Sequence, residues 1–196
     1  HFRHHRELGQ PDDSEHTYFF ALNPTFLLKS LTGWRAFEVL AFRRGIKGPS
    51  RGDRGGALSL PVVLGVCSHL AIVMGSFAVG YWWLALGWIA GVAIVFPFLG
   101  ALRQLLEHRR PDALAHVNYF AEAHGAYTRL FGDGPIDAVL GGAGFNRHLL
   151  HHWEPQLSYT NLREFEAYLL ETPLRDHLVS RRSTYWHTFR SLLTAG

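Results

Sequence analysis

A chain of 196 residues suits one domain, and 47% hydrophobic content with 14% aromatic residues and six tryptophans excludes a disordered chain and leans towards a membrane or a well-filled core. The net charge of +3 comes without Lys/Arg tracts interleaved with aromatics, so nucleic acid is excluded as a partner and phospholipid headgroups are the anion to expect. A single cysteine, Cys67, excludes an internal disulfide framework and any CxxC zinc or redox motif, and is assigned to packing.

In chain order, residues 1–9 read HFRHHRELG, the end of a helix stopped by Gly9 and Pro11. The i, i+3, i+4 spacing sets His1, His4 and His5 on one helical face. Glu7, Asp12, Asp13 and Glu15 follow, and any of them can hold an imidazole by accepting its second N–H. His16 stands outside the triplet and is read as a surface or packing residue. Residues 18–42 are aromatic-rich but interrupted by Pro24, Gly33 and scattered charge, which predicts a helix lying at a membrane surface. Arg43, Arg44, Lys47, Arg51 and Arg54, set among glycines, predict a flexible cationic loop.

Two apolar runs, about 58–79 and 81–102, are each long enough at about 1.5 Å per residue to cross a hydrocarbon core of about 30 Å. They predict a transmembrane hairpin turning near Gly80, with Tyr81, Trp82 and Trp83 as an interfacial belt. Basic residues flank both outer ends: Arg51 and Arg54 before, Arg103, Arg109 and Arg110 after. The positive-inside rule then puts both ends on the cytoplasmic side. His69, within the first run, is expected to hydrogen-bond a neighbouring helix or to stand beside substrate. His116 and His124 are read as exposed or packing residues.

The approach to the second histidine cluster is glycine-rich and expected to be loose: Gly132, Gly134, Gly141, Gly142 and Gly144. Residues 145–155, FNRHLLHHWEP, then repeat the HxxHH pattern with His148, His151 and His152, on a helix ended by Pro155. Asn161 and Glu164 read as a capping box for a helix over about 162–171, and a further helix is expected over 174–193 with a break near Ser183. Together these form a helical cap.

A polar solvated face is the competing reading of one HxxHH triplet, but two such faces point to a metal site. Imidazole suits iron, copper, nickel and zinc alike.

The two triplets, with Glu107-His108 between them, resemble the membrane fatty acid desaturase and hydroxylase family, whose histidine boxes ligate two irons. HFRHH matches its second box, RQLLEH its intervening histidine and NRHLLHHWEP its third, over essentially the whole chain. The first box, an HxxxH, has no separate counterpart, and the chain starts on His1. A desaturase-like domain over 1–196, truncated at its N-terminus, is therefore expected. The resemblance implies seven metal ligands: His1, His4, His5, His108, His148, His151 and His152. Seven histidines exceed what one tetrahedral zinc accepts. Asn146 and Glu107 are expected to orient ligands or a bound water without binding metal themselves, an ordinary N-cap for the helix that follows being the other reading of Asn146.

The fold class implied is all-α integral membrane: a helical hairpin, interfacial helices and a cytoplasmic cap carrying the boxes. The activity implied is an oxidoreductase with two non-haem iron ions and O2 as co-substrate, placing a double bond in a lipid acyl chain. Its electrons would come from a donor such as ferredoxin or cytochrome b5. Alternatives are a lipid or carotenoid hydroxylase or ketolase of the same kind, a non-catalytic membrane protein, or a haem-binding one. Haem ligands, however, usually stand singly on facing helices.

Overall fold

Among the described residues, 2–35, 37–38 and 60–195 of this computed structural model, the chain is mostly helical. His1 and the cationic loop expected from Arg43 to Arg54 lie outside them. The chain forms two compact units, one of His1–Leu27 with Ala101–Gly196 and one of Leu28–Gly100.

The second unit holds two long apolar helices, α3 (Leu60–Ala78) and most of α4 (Trp82–His108), matching the two predicted runs. α4 is continuous through a π-helical turn at Gly91–Val95, and its last turns, from Ala101, belong to the other unit. Between α3 and α4 the chain reverses at Gly80, whose φ of 81° lies in the left-handed region, and Tyr81 N–H donates to the Ser76 carbonyl at 2.8 Å. The two helices pack together, and Trp88 Nε1 donates to His69 Nδ1 at 3.2 Å, the inter-helix bond foreseen for that histidine.

A core helix of a soluble protein is largely buried, whereas among the described residues none of the most apolar stretch of α3 and 6% of the residues of that of α4 are buried. Cys67 belongs to this bare surface: it is exposed and does not pack as expected. Helices apolar on every side and uncovered require a non-aqueous neighbour.

Two hydrophobic clusters are seen in the first unit among the described residues. In one, Leu130, Leu149, Leu150, Leu162, Leu169 and Leu178 cluster under α6 (His148–Trp153), α7 (Leu162–Leu169) and α8 (Arg175–Ser180). β1 (Leu130–Phe131) pairs in parallel with β2 (Arg182–Ser183), in the register Leu130 with Arg182 and Phe131 with Ser183. β2 falls at the predicted break near Ser183, between α8 and α9 (Tyr185–Ala195). The capping box does not form. Asn161 precedes α7 without bonding its first turn, and its Oδ1 accepts from Thr160 Oγ1, inside a tight turn at Tyr159–Asn161.

The other core is aromatic, with Tyr18, Phe19 and Tyr119 buried and Phe20 and Phe120 against them. Here the structure corrects the expectation for residues 18–42. Tyr18, Phe19, Leu22 and Phe26 are buried, so the first part of that stretch is core and not a membrane-surface helix. Pro24–Leu31, α2, is helical, and its Leu28 and Leu31 are exposed. Aromatic density reads the same in a core and at an interface; long-range partners decide. His16 is buried against Phe19, Phe20 and Phe120, and His124 against Tyr18 and Tyr119, both as packing residues, while His116 is exposed.

Gly9 closes α1 (Phe2–Glu7) with φ of 79°, and a Cβ there would lie 2.4 Å from the Gly125 carbonyl carbon. Its carbonyl accepts from the backbone N–H of His124 and of Gly125, so α1 is tied to the turn at 124–125. Replacing Gly9 by alanine combines left-handed strain with a backbone clash, together about 2–5 kcal/mol. Gly9→Ala is accordingly expected to lower the melting temperature of the detergent-solubilised protein sharply. An unchanged melt would mean that this contact is not made.

Candidate metal centre

Two six-residue helices carry His4 and His5 (α1) and the second triplet (α6), and neither is long enough to be stable alone. α6, HLLHHW, shows how packing settles it. Leu149 and Leu150 are buried in the leucine core, worth about 1.5–3 kcal/mol each, and this turns His148, His151 and His152 to the other side. Its entry is tight where looseness was expected: Gly144 has φ of 88°, and a Cβ there would meet the Tyr159 carbonyl oxygen at 2.9 Å. The Leu149 N–H also donates to the Arg129 carbonyl at 3.0 Å, fixing α6 to the residue before β1.

His108 comes from the last turn of α4. Free carbonyls at a helix C-terminus need partners. Arg129, itself buried, supplies them, donating from Nη1 to Leu106 and from Nη2 to Arg109 at 2.7 and 2.6 Å. Arg109 is buried as well and donates to the carbonyls of Tyr18, Phe19 and Ala113. Of the flanking basic residues, Arg109 therefore braces the fold and offers no charge to headgroups.

The structure brings together six of the seven predicted ligands, His1 being outside the described residues. Nε2 of His4 lies 3.2 Å from Nε2 of His108, which lies 2.9 Å from Nε2 of His148, which lies 3.1 Å from Nε2 of His152. A second pair, His5 and His151, meets Nε2 to Nε2 at 3.1 Å, and the rings of His5 and His152 join the groups at 4.2 Å. Two imidazole nitrogens at about 2.1 Å from one ion are roughly 3.0–3.4 Å apart between a right and a tetrahedral angle, so these spacings suit shared ions.

Tautomers make the case chemical. The Tyr127 carbonyl can only accept, so at 3.1 Å it fixes the His108 proton on Nδ1 and leaves a lone pair on Nε2. Both oxygens of Asp13 lie 2.9 Å from His4 Nδ1, with both side chains fully buried, so the carboxylate holds a proton on that nitrogen and leaves Nε2 as the one able to ligate. With both rings neutral, two lone pairs face each other at 3.2 Å, an arrangement that a cation between them makes favourable. Burial, reinforced by neighbouring imidazoles, pushes His148 and His152 well below the usual histidine range and His5 down to about 4; burial and the nearby His4 lower His151. Neutral imidazoles are the form that ligates.

Of the four acidic candidates after the first triplet, Asp13 bonds a histidine of that triplet, His4, through its Nδ1, with Tyr18 OH and the Glu15 N–H also donating to it. Glu7 and Asp12 pair with Arg3, and Glu15 accepts from Gln104 at 2.7 Å with its Oε2 3.9 Å from His4 Nε2. Asn146 is buried, but its amide donates to the Gly132 carbonyl and the Asp133 carboxylate and so braces the turn leading to α6; among the described residues no imidazole is its partner. Arg147 joins Asp133 and Glu166 to the same turn. Glu107 is buried, Oε2 3.6 Å from His148 Nε2, and its Oε1 accepts from Tyr185 OH at 2.7 Å.

Tyr185 is a residue that sequence reasoning missed. Phe131 of β1 stacks on its ring at 3.7 Å, and its backbone N–H donates to Asp137. No local pattern marks a tyrosine 78 positions from its partner. A recess of about 290 Å³ opens beside His5 and His152, with Arg6, Trp153, His177 and Arg181 in its wall.

The profile of one protein family, described as fatty acid desaturase, matches residues 1–185. Searches of curated proteins and of solved structures return no match.

Proposed function

From the premise that this chain belongs to the fatty acid desaturase family, we propose that it is a membrane-bound di-iron oxidoreductase that introduces a double bond into a lipid acyl chain. Family membership supports oxidoreductase chemistry on lipid in a membrane setting. The observation that carries the reading further is the convergence of the His4, His108, His148 and His152 Nε2 atoms, two of them with lone pairs fixed towards each other.

The ligands proposed are His1, His4, His5, His108, His148, His151 and His152, within a single domain over 1–196. Iron held there would supply activation of O2 and removal of hydrogen from an unactivated methylene. The chain's own residues do the rest. Asp13 and the Tyr127 carbonyl keep His4 and His108 in the ligating tautomer; Arg129 holds the end of α4; the leucine core sets the direction of α6. Burial of His4, His108 and His148 excludes bulk water from the reaction volume. In the overall reaction two hydrogens leave the acyl chain, and O2, with two electrons and two protons from outside, ends as two waters.

The electrons come from a separate donor such as ferredoxin or cytochrome b5. α3 and α4 cross the membrane as a hairpin, and the basic residues flanking it keep both triplets, within a helical cap, on the cytoplasmic side. Interfacial segments accompany them, α2 being the part within the described residues.

The test is lipid product analysis by mass spectrometry, with the iron-loaded protein in phospholipid bilayers given O2 and a reduced donor. An acyl chain lighter by two hydrogens is expected. A chain heavier by one oxygen would replace desaturation with hydroxylation, and unaltered lipid from iron-loaded protein would contradict the reading.

A further inference from the structure

A carboxylate that merely orients a metal-binding histidine accepts the proton of the ring nitrogen turned away from the metal, as Asp13 does at His4 Nδ1. Glu107 is placed differently. Its side chain is 2% exposed, and its Oε1 carries both of its anchoring contacts, Tyr185 OH at 2.7 Å and Arg103 Nε at 3.0 Å. For Oε2 the contact given by the described residues is His148 Nε2 at 3.6 Å.

That nitrogen is the one by which His148 faces His108 and His152, while His148 Nδ1 has no hydrogen-bond partner among the described residues. Glu107 thus stands on the inner side of His148. The distance is too long for a hydrogen bond. It suits two donor atoms on one ion, since bonds of about 2.1 Å from each, opened to about 120°, give this spacing. One donor atom each from Glu107, His108 and His148 lie within 4.8 Å of one another. Glu15 is the nearest comparison, but the oxygen that it turns to His4 also accepts from Gln104 at 2.7 Å.

We infer that Glu107 is itself a metal ligand through Oε2, so that the centre is a mixed carboxylate and histidine site, with Tyr185 and Arg103 as the residues that aim the carboxylate. An anionic oxygen offsets one unit of the buried positive charge, which imidazoles do not. The inference rests on the reading of the histidine cluster as a metal centre.

The test loads the wild type, Glu107→Gln and Glu107→Asp with ferrous iron without oxygen and measures iron affinity, iron content and Mössbauer spectra; no turnover is required. Glutamine keeps an oxygen for Tyr185 and Arg103 but sets an amide nitrogen towards His148; aspartate keeps the charge but draws it back by one methylene. Both are expected to weaken one of the two irons by about tenfold or more and to change its quadrupole splitting. Unaltered affinity and spectra in either folded variant would overturn the inference while leaving the metal centre standing. A wild type that takes up no iron would overturn both. Thermal melts of the metal-free proteins identify a variant that has failed to fold, and the other then decides.

Discussion

Replacing His108 by alanine is expected to lower the iron content from about two ions per chain to one or none and to abolish lipid product. His108 is the middle of the nitrogen row, 3.2 Å from His4 and 2.9 Å from His148 on either side. It is also the proposed ligand whose Nδ1 proton is fixed by a carbonyl, which can only accept. Its removal takes away the one imidazole linking the first triplet to the second through Nε2 in that row. His116→Ala is the control, since that side chain is exposed. Retention of two irons with His108 absent would show that the cluster binds metal elsewhere or not at all.

Asp13→Ala comes next in expected effect, without touching a ligand. Asp13 accepts from His4 Nδ1, Tyr18 OH and the Glu15 N–H, so alanine leaves three donors without an acceptor, two of them on fully buried side chains. A buried donor left unsatisfied costs about 1–3 kcal/mol, and loss of a carboxylate behind a ligand histidine lowers metal affinity by about 10–100-fold. The variant should therefore bind iron more weakly and melt earlier. Asp13→Asn keeps the shape and one acceptor, and should fall between alanine and wild type. If iron affinity in Asp13→Ala equals that of wild type, His4 is not a ligand that this carboxylate holds.

The histidine spacing was legible because it is a property of one helical turn. HLLHHW encodes both faces of α6, leucines to the core and imidazoles away from it, and the structure brings its three histidines together with His4, His5 and His108. The two apolar runs were equally plain, since their length and lack of charge need no partner to be read. What could not be read depends on residues far apart in the chain. Tyr18 looks like an interfacial aromatic until His124 and Asp13 stand beside it; Arg109 looks like a charge facing headgroups until the Tyr18 and Phe19 carbonyls surround it. The capping box at Asn161 failed for a local reason, because Thr160 took the side-chain oxygen that the helix would have used. Gly144 was read as slack in the chain, and in fact allows a close backbone approach to Tyr159.

The account stands on the histidine cluster holding two irons. Elemental analysis of the detergent-purified protein, beside a variant with His148, His151 and His152 all replaced by alanine, tests this most directly. About two irons per chain in the wild type, lost in the variant, is the result predicted. A single zinc, or no metal in either protein after loading with ferrous iron, would contradict it.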